Sequence, residues 1–156
     1  MSKSLKRVEA ALTAAGIAPE IQMLTESART APLAAAAVGC ALDQIAKSII
    51  FRGEQSGHVL LFVTAGGNRV NPDAAARLAG EPLGKADAAL VRVETGFAIG
   101  GVAPIGHLNP IRAFIDRRLL DFPQVWAAAG TPHHLFAIEP ARLVEMAGAT
   151  LATFTG

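Results

Sequence analysis

The sequence predicts an α+β fold: a mixed, mainly antiparallel, barrel-like sheet with short helices packed around it. Three observations carry this. Seven short runs rich in Ile, Val, Leu and Phe are interrupted by short helical segments, without strict βαβ alternation. The 156 residues suit one compact domain spanning 1–156, and no composition break marks a linker. A chain of about 150 residues buries roughly 70% of its unfolded surface, enough for a core without staples. The third observation is the kind of apolar residue. The chain is 51% hydrophobic but only 5% aromatic, and alanine is its commonest residue. Small side chains of this sort favour closely spaced backbones.

Each element has a local reason. Leu5, Val8 and Leu12 recur at helical spacing over residues 4–15, and Gly16 closes that helix. Residues 20–24 alternate as a short strand. Thr30 then caps an alanine-rich helix that begins at Ala31-Pro32 and ends at Gly39. Residues 45–51 and 58–64 form a β-hairpin across the polar turn 52–57. Asn71 and Pro72 open the next helix as N-cap and first helical residue, and Gly80 ends it. A helix is expected over 85–94, stopped by Gly96. The Gly- and Pro-rich segment 96–106 follows, and then strands at 110–115, 124–129 and 134–138. The helix 140–147, closed by Gly148, leads to a terminal strand over 150–154.

Composition excludes several classes of function. Low charge (17%) and high apolar content exclude disorder. Lys and Arg total 14 against 13 acidic residues, so a broad basic face for DNA is excluded, and nucleic acid would be gripped through a few phosphates. A lone cysteine, Cys40, precludes an internal disulfide and a Cys-rich zinc site, and reads as a small buried hydrophobe. The longest apolar run, 31–42, falls well short of the roughly 20 residues that a membrane span needs. The N-terminal segment reads as a helix rather than a signal peptide. A soluble, cytoplasmic protein is expected.

Standard catalytic signatures are missing. There is no Gly-x-Ser-x-Gly elbow and no phosphate loop ending in Gly-Lys-Ser/Thr. The four histidines, His58, His107, His133 and His134, have no helical metal-site spacing, so neither metal nor cofactor is expected. Two features remain. Strand alternation puts Lys47 on one face with Ile45, Ile49 and Phe51, where it must snorkel to solvent, meet an anion or lose its proton. Spacing alone favours the first of these. The second feature is the segment 96–106, whose glycines leave backbone amides unobstructed for an oxyanion. Composition alone slightly favours a plain structural turn.

In this order the two features resemble the YbaK/EbsC family, free-standing relatives of the prolyl-tRNA synthetase editing domain. The likeness runs through Ala28-Arg29-Thr30 before the Ala-rich helix, and through the lysine strand Gln44-Ile45-Ala46-Lys47-Ser48-Ile49-Ile50-Phe51. The Gly-x-x-x-Pro loop follows as Gly100-Gly101-Val102-Ala103-Pro104. Ile115-Asp116 and Trp126-Ala127-Ala128-Ala129-Gly130 complete the pattern. The resemblance implies a YbaK-like fold and an aminoacyl-tRNA deacylase. Such an enzyme hydrolyses the ester between tRNA(Pro) and a small non-cognate amino acid, alanine or cysteine among them. It implies Lys47 as the anchor for the terminal nucleotide and Gly100, Gly101, Val102, Ala103 and Pro104 as the ester-binding loop. Thr30, Asp116 and Gly130 would support substrate binding, with no protein nucleophile. Neither Cys40 nor His107 is expected to be needed for turnover. The implied partners are mischarged tRNA(Pro), through its 3′ end, and prolyl-tRNA synthetase, with no membrane and no DNA. The rival expectation is a non-catalytic module that binds a tRNA 3′ end or a synthetase.

Overall fold

A computed structural model describes residues 2–156. Its helices are α1 (Lys3–Ala14), α2 (Ala31–Val38), α3 (Pro72–Ala79), α4 (Ala88–Thr95) and α5 (Pro140–Ala147). Its strands are β1 (Ile21–Met23), β2 (Ala46–Gly53), β3 (Val59–Ala65), β4 (Leu83–Lys85), β5 (Arg112–Asp116), β6 (Val125–Ala128), β7 (His134–Ile138) and β8 (Thr150–Ala152). Short 3-10 turns at Leu42–Gln44 and Arg117–Asp121 join them.

The strands form two sheets. One has five strands in the order β4-β2-β3-β5-β8, antiparallel on the β4 side and parallel from β3 to β8. The other is antiparallel, in the order β1-β7-β6. The mixed α+β architecture is as the sequence predicts, but the barrel stays open. A single parallel bridge, Ile45 to Trp126, joins the sheets. Beyond it β2 has β4, not β6, as its neighbour.

Strand β3 is buried at every position because both its faces are covered, which is why its sequence is an unbroken apolar run. On one face Leu61 and Val63 pack with Leu5, Val8 and Leu12 of α1, with Phe136 of β7 and with Leu143 of α5. On the other, Phe62 stacks on Phe114 at 5.1 Å and takes Phe154 edge-on, over Ala75 and Ala79 of α3.

Local capping chemistry sets the helix ends. Thr30 Oγ1 accepts from Leu33 N–H at the start of α2, and Asn71 Oδ1 accepts from Asp73 and Ala74 N–H before α3. The helix expected over 85–94 starts later. Asp87 Oδ1 accepts from Leu90 N–H at 2.8 Å and opens α4 there, while Leu83, Gly84 and Lys85 pair with Gly53, Arg52 and Phe51 as β4. No helix among the described residues is long and apolar enough to cross a membrane.

Candidate active site

A cavity of about 560 Å³ opens where the two sheets part. Thr30 and Ala34 come to it from α2 and its cap, Lys47 and Ser48 from β2, Gly100 and Val102 from the glycine-rich loop. Its charged lining is cationic, Arg29 and Lys47, and among the described residues no carboxylate reaches it.

The cavity borders an unused strand edge. Gly53 N–H donates to His58 O at 2.9 Å, so the odd-numbered residues of β2 direct their backbone groups at β3. The residues of β3 facing even positions agree with this. Ala65 and Val59 turn their N–H groups away from β2, to Asp116 Oδ2 and Glu94 Oε1. The backbone groups of Ser48 and Ile50 therefore point to the other edge, which β4 covers only from Phe51 to Gly53. Ser48 adds a buried hydroxyl without a hydrogen-bond partner. Nothing in the sequence singled out Ser48, because its importance depends on where β4 stops.

Lys47 is half-buried and lies at the cavity wall. Its Nζ donates to Gly66 O at 3.2 Å. Burial, aided by the Arg69 charge, pushes its pKa below the ordinary lysine value, with Asp116 and Asp43 pulling it partly back. Asp116 itself does not line the cavity. It is buried behind the turn after β3, where Oδ2 accepts from Ala65 N–H at 3.1 Å and Asn68 Nδ2–H at 2.9 Å, and Oδ1 accepts from Arg118 N–H. It thereby fixes the turn that presents Gly66 O to Lys47. Asp116→Ala would orphan a buried amide, and is expected to cost roughly 2–3 kcal/mol of stability, read as a lower urea midpoint at unchanged m-value.

The loop divides its labour. Gly100 has φ +99 and open space around it, and it lines the cavity. Gly101 is seated against the neighbouring chain: a Cβ there would stand 2.7 Å from Thr131 Cα and 2.8 Å from its carbonyl carbon. Its N–H is taken by Ala98 O at 3.1 Å. The amides of Gly100 and Val102 make no hydrogen bond among the described residues. Ala103 is fully buried, and Pro104 faces away from the cavity. Gly130 lies elsewhere as well: with φ +93, its Cβ position is 2.8 Å from the backbone of Ser4, so it makes room for α1. Thus Lys47, Thr30, Gly100 and Val102 come together, while Gly101, Ala103, Pro104, Asp116 and Gly130 stand behind them.

Cys40 is half-buried beside α2, and burial pushes its thiol pKa up. Among the described residues no three metal-binding side chains cluster.

Residues 25–146 match the family described as the aminoacyl-tRNA editing domain. The chain belongs to that family. The editing domain is similar along nearly its whole length to YwhH, an uncharacterised protein of Bacillus subtilis (strain 168), with 30% identity over 142 residues, 91% of this chain and 90% of the relative. A crystal structure of a candidate trans-editing enzyme for prolyl-tRNA synthetase superposes with a TM-score of 0.91 at 44% identity, covering 100% of this chain and 99% of that one. The hypothetical protein APE2540 superposes at 0.86 with 31% identity, covering 96% of the editing domain here and 99% of that chain.

Proposed function

We propose that this editing domain is a trans-editing hydrolase that deacylates mischarged tRNA(Pro) carrying a small non-cognate amino acid such as alanine or cysteine. The observation that carries the reading is the pairing, in one acid-free cavity, of two cations with a glycine loop whose lining residues Gly100 and Val102 have amides without an acceptor among the described residues. Lys47 and Arg29 suit the 3′-terminal nucleotide, whose phosphate is anionic. The amides of Gly100 and Val102 suit the ester carbonyl, which becomes an oxyanion when water adds to it. Collapse of that tetrahedral species breaks the acyl C–O bond, and the ribose hydroxyl departs with a proton that came from the attacking water. Among the described residues the cavity lining holds no carboxylate, histidine or cysteine, so in this reading the substrate's own groups, the ribose 2′-hydroxyl or a cysteine thiol, serve as the proton relay. The link to prolyl-tRNA draws support from the 44% identical structure and its description.

The test is incubation with Ala-tRNA(Pro), Cys-tRNA(Pro) and Pro-tRNA(Pro). Release of alanine or cysteine with Pro-tRNA(Pro) left intact is expected. Persistence or protection of all three esters would overturn the reading and leave a binding module.

A further inference from the structure

The loop that lines the cavity is an irregular segment, yet catalysis by backbone amides demands that it be rigid. Its rigidity comes from behind. Arg7 of α1 donates from Nη2 to Gly96 O and from Nε to Gly106 O, at 2.6 and 3.0 Å, so one guanidinium ties together both ends of the loop 96–106. The same group lies 4.7 Å from the centre of the Phe97 ring. Gly96 makes room for the guanidinium, since a Cβ there would stand 2.6 Å from Arg7 Nη2, and Gly106 lets the loop approach the main chain of α1, since a Cβ there would stand 3.3 Å from Arg7 O. A third tether reaches the middle of the loop. His107 Nε2–H donates to Ala103 O at 2.7 Å, with its ring set edge-on to Phe97. The carbonyls at the two ends and near the centre are thus fixed from the side opposite the cavity.

We propose that Arg7 and His107 are positioning residues for the reaction, holding the loop's carbonyls so that the amides of Gly100 and Val102 keep a fixed place in the cavity. This rests on the reading of that loop as the ester-binding element. It gives α1 a role, although α1 precedes the residues 25–146 that match the family. It also replaces the expectation that His107 is dispensable. Lysine cannot substitute for Arg7, because a single ammonium lacks the planar fork that spans two carbonyls. Leu5, Val8 and Leu12 dock α1 in the core independently, so the helix stays in place when Arg7 is changed.

The experiment compares Arg7→Lys, Arg7→Ala and His107→Phe with the wild type by amide hydrogen exchange and by deacylation kinetics on Ala-tRNA(Pro) and Cys-tRNA(Pro). In each variant, exchange at Phe97 and Gly101, whose amides donate to Thr95 Oγ1 and Ala98 O within the loop, should rise about tenfold or more while β3 amides keep their protection. The value of kcat should fall about tenfold or more, with KM within about threefold. Methylguanidinium should slow loop exchange again in Arg7→Ala and leave His107→Phe unaffected. Unchanged loop exchange, or an equal rise in the loop and β3, would overturn the proposal and reduce both residues to general stability. If the wild type releases no amino acid, the reading of function falls, and the exchange data alone still decide whether Arg7 and His107 fix the loop.

Discussion

Gly101→Val is expected to abolish deacylation in a protein that still folds. Sequence reasoning asks for glycine there so that an ester can approach closely, but the geometry gives a different cause. Any Cβ at this position falls 2.7–2.9 Å from three backbone atoms of Thr131, and backbone cannot swing aside as a long side chain can. The loop must lift off Thr131 and carry Gly100 and Val102 with it. Losing one oxyanion donor costs on the order of 10²–10³ in rate, and misplacing both amides by about 1 Å costs at least as much. Gly101→Ala meets the same contact and should lose about 100-fold. Cys40→Ala, or EDTA added to the wild type, should leave the rate unchanged. Single-turnover deacylation of a misacylated tRNA(Pro), with circular dichroism to verify folding, decides the matter. Wild-type rates in Gly101→Val, or loss of activity in Cys40→Ala or on chelation, would sink a backbone-driven mechanism.

Lys47→Ala is the second large effect. A charge-assisted contact to a phosphate contributes about 1.5–3 kcal/mol, so binding of the terminal nucleotide should weaken roughly ten- to a hundredfold or more. Lys47→Arg should restore only part of it, since the guanidinium is planar and larger. Stability should respond differently. Lys47 holds its proton less tightly when folded than when unfolded, mainly through burial. Its charge therefore disfavours the folded state below the lowered pKa, and that handicap disappears as pH rises to the unfolded value. Removing the side chain should leave the melting temperature unchanged or slightly raised. The pH dependence of AMP binding offers an independent check. In the wild type, affinity should fall on the alkaline side at a lower pH than free lysine would give, and Lys47→Ala should show no such step. Full deacylation by folded Lys47→Ala would remove the residue from the site.

What could be read from the sequence was what neighbouring residues decide. Thr30 with Gly39, and Asn71-Pro72 with Gly80, announce their helices because cap and helix are contiguous. The strand bearing Lys47 and the glycine-rich loop were visible for the same reason. Strand β4 was not, because three residues containing Gly84 carry no alternation and become a strand only by pairing with Phe51–Gly53. Asp116 was visible as a motif residue, but its partners Ala65 and Asn68 lie about fifty positions earlier and no periodicity links them. Arg7 is more remote still from Gly96 and Gly106, and nothing in an amphipathic first helix distinguishes a cation that reaches inward from one that faces water. Long-range polar contacts are the part of a site that spacing cannot encode.

The place where β4 ends has a consequence for how this pocket could change size. Continuing its register beyond Lys85 would set Ala86 opposite Ile50 and Ala88 opposite Ser48, zipping a strand over the bare edge that walls the cavity. Asp87 prevents this by turning the chain into α4 through its bond to Leu90 N–H. One carboxylate at a helix start thereby acts as a stop for the zipper. Its position along the chain sets how much of the β2 edge remains open, so moving this stop by a residue or two would retune the capacity of the pocket without altering Lys47 or the glycine loop.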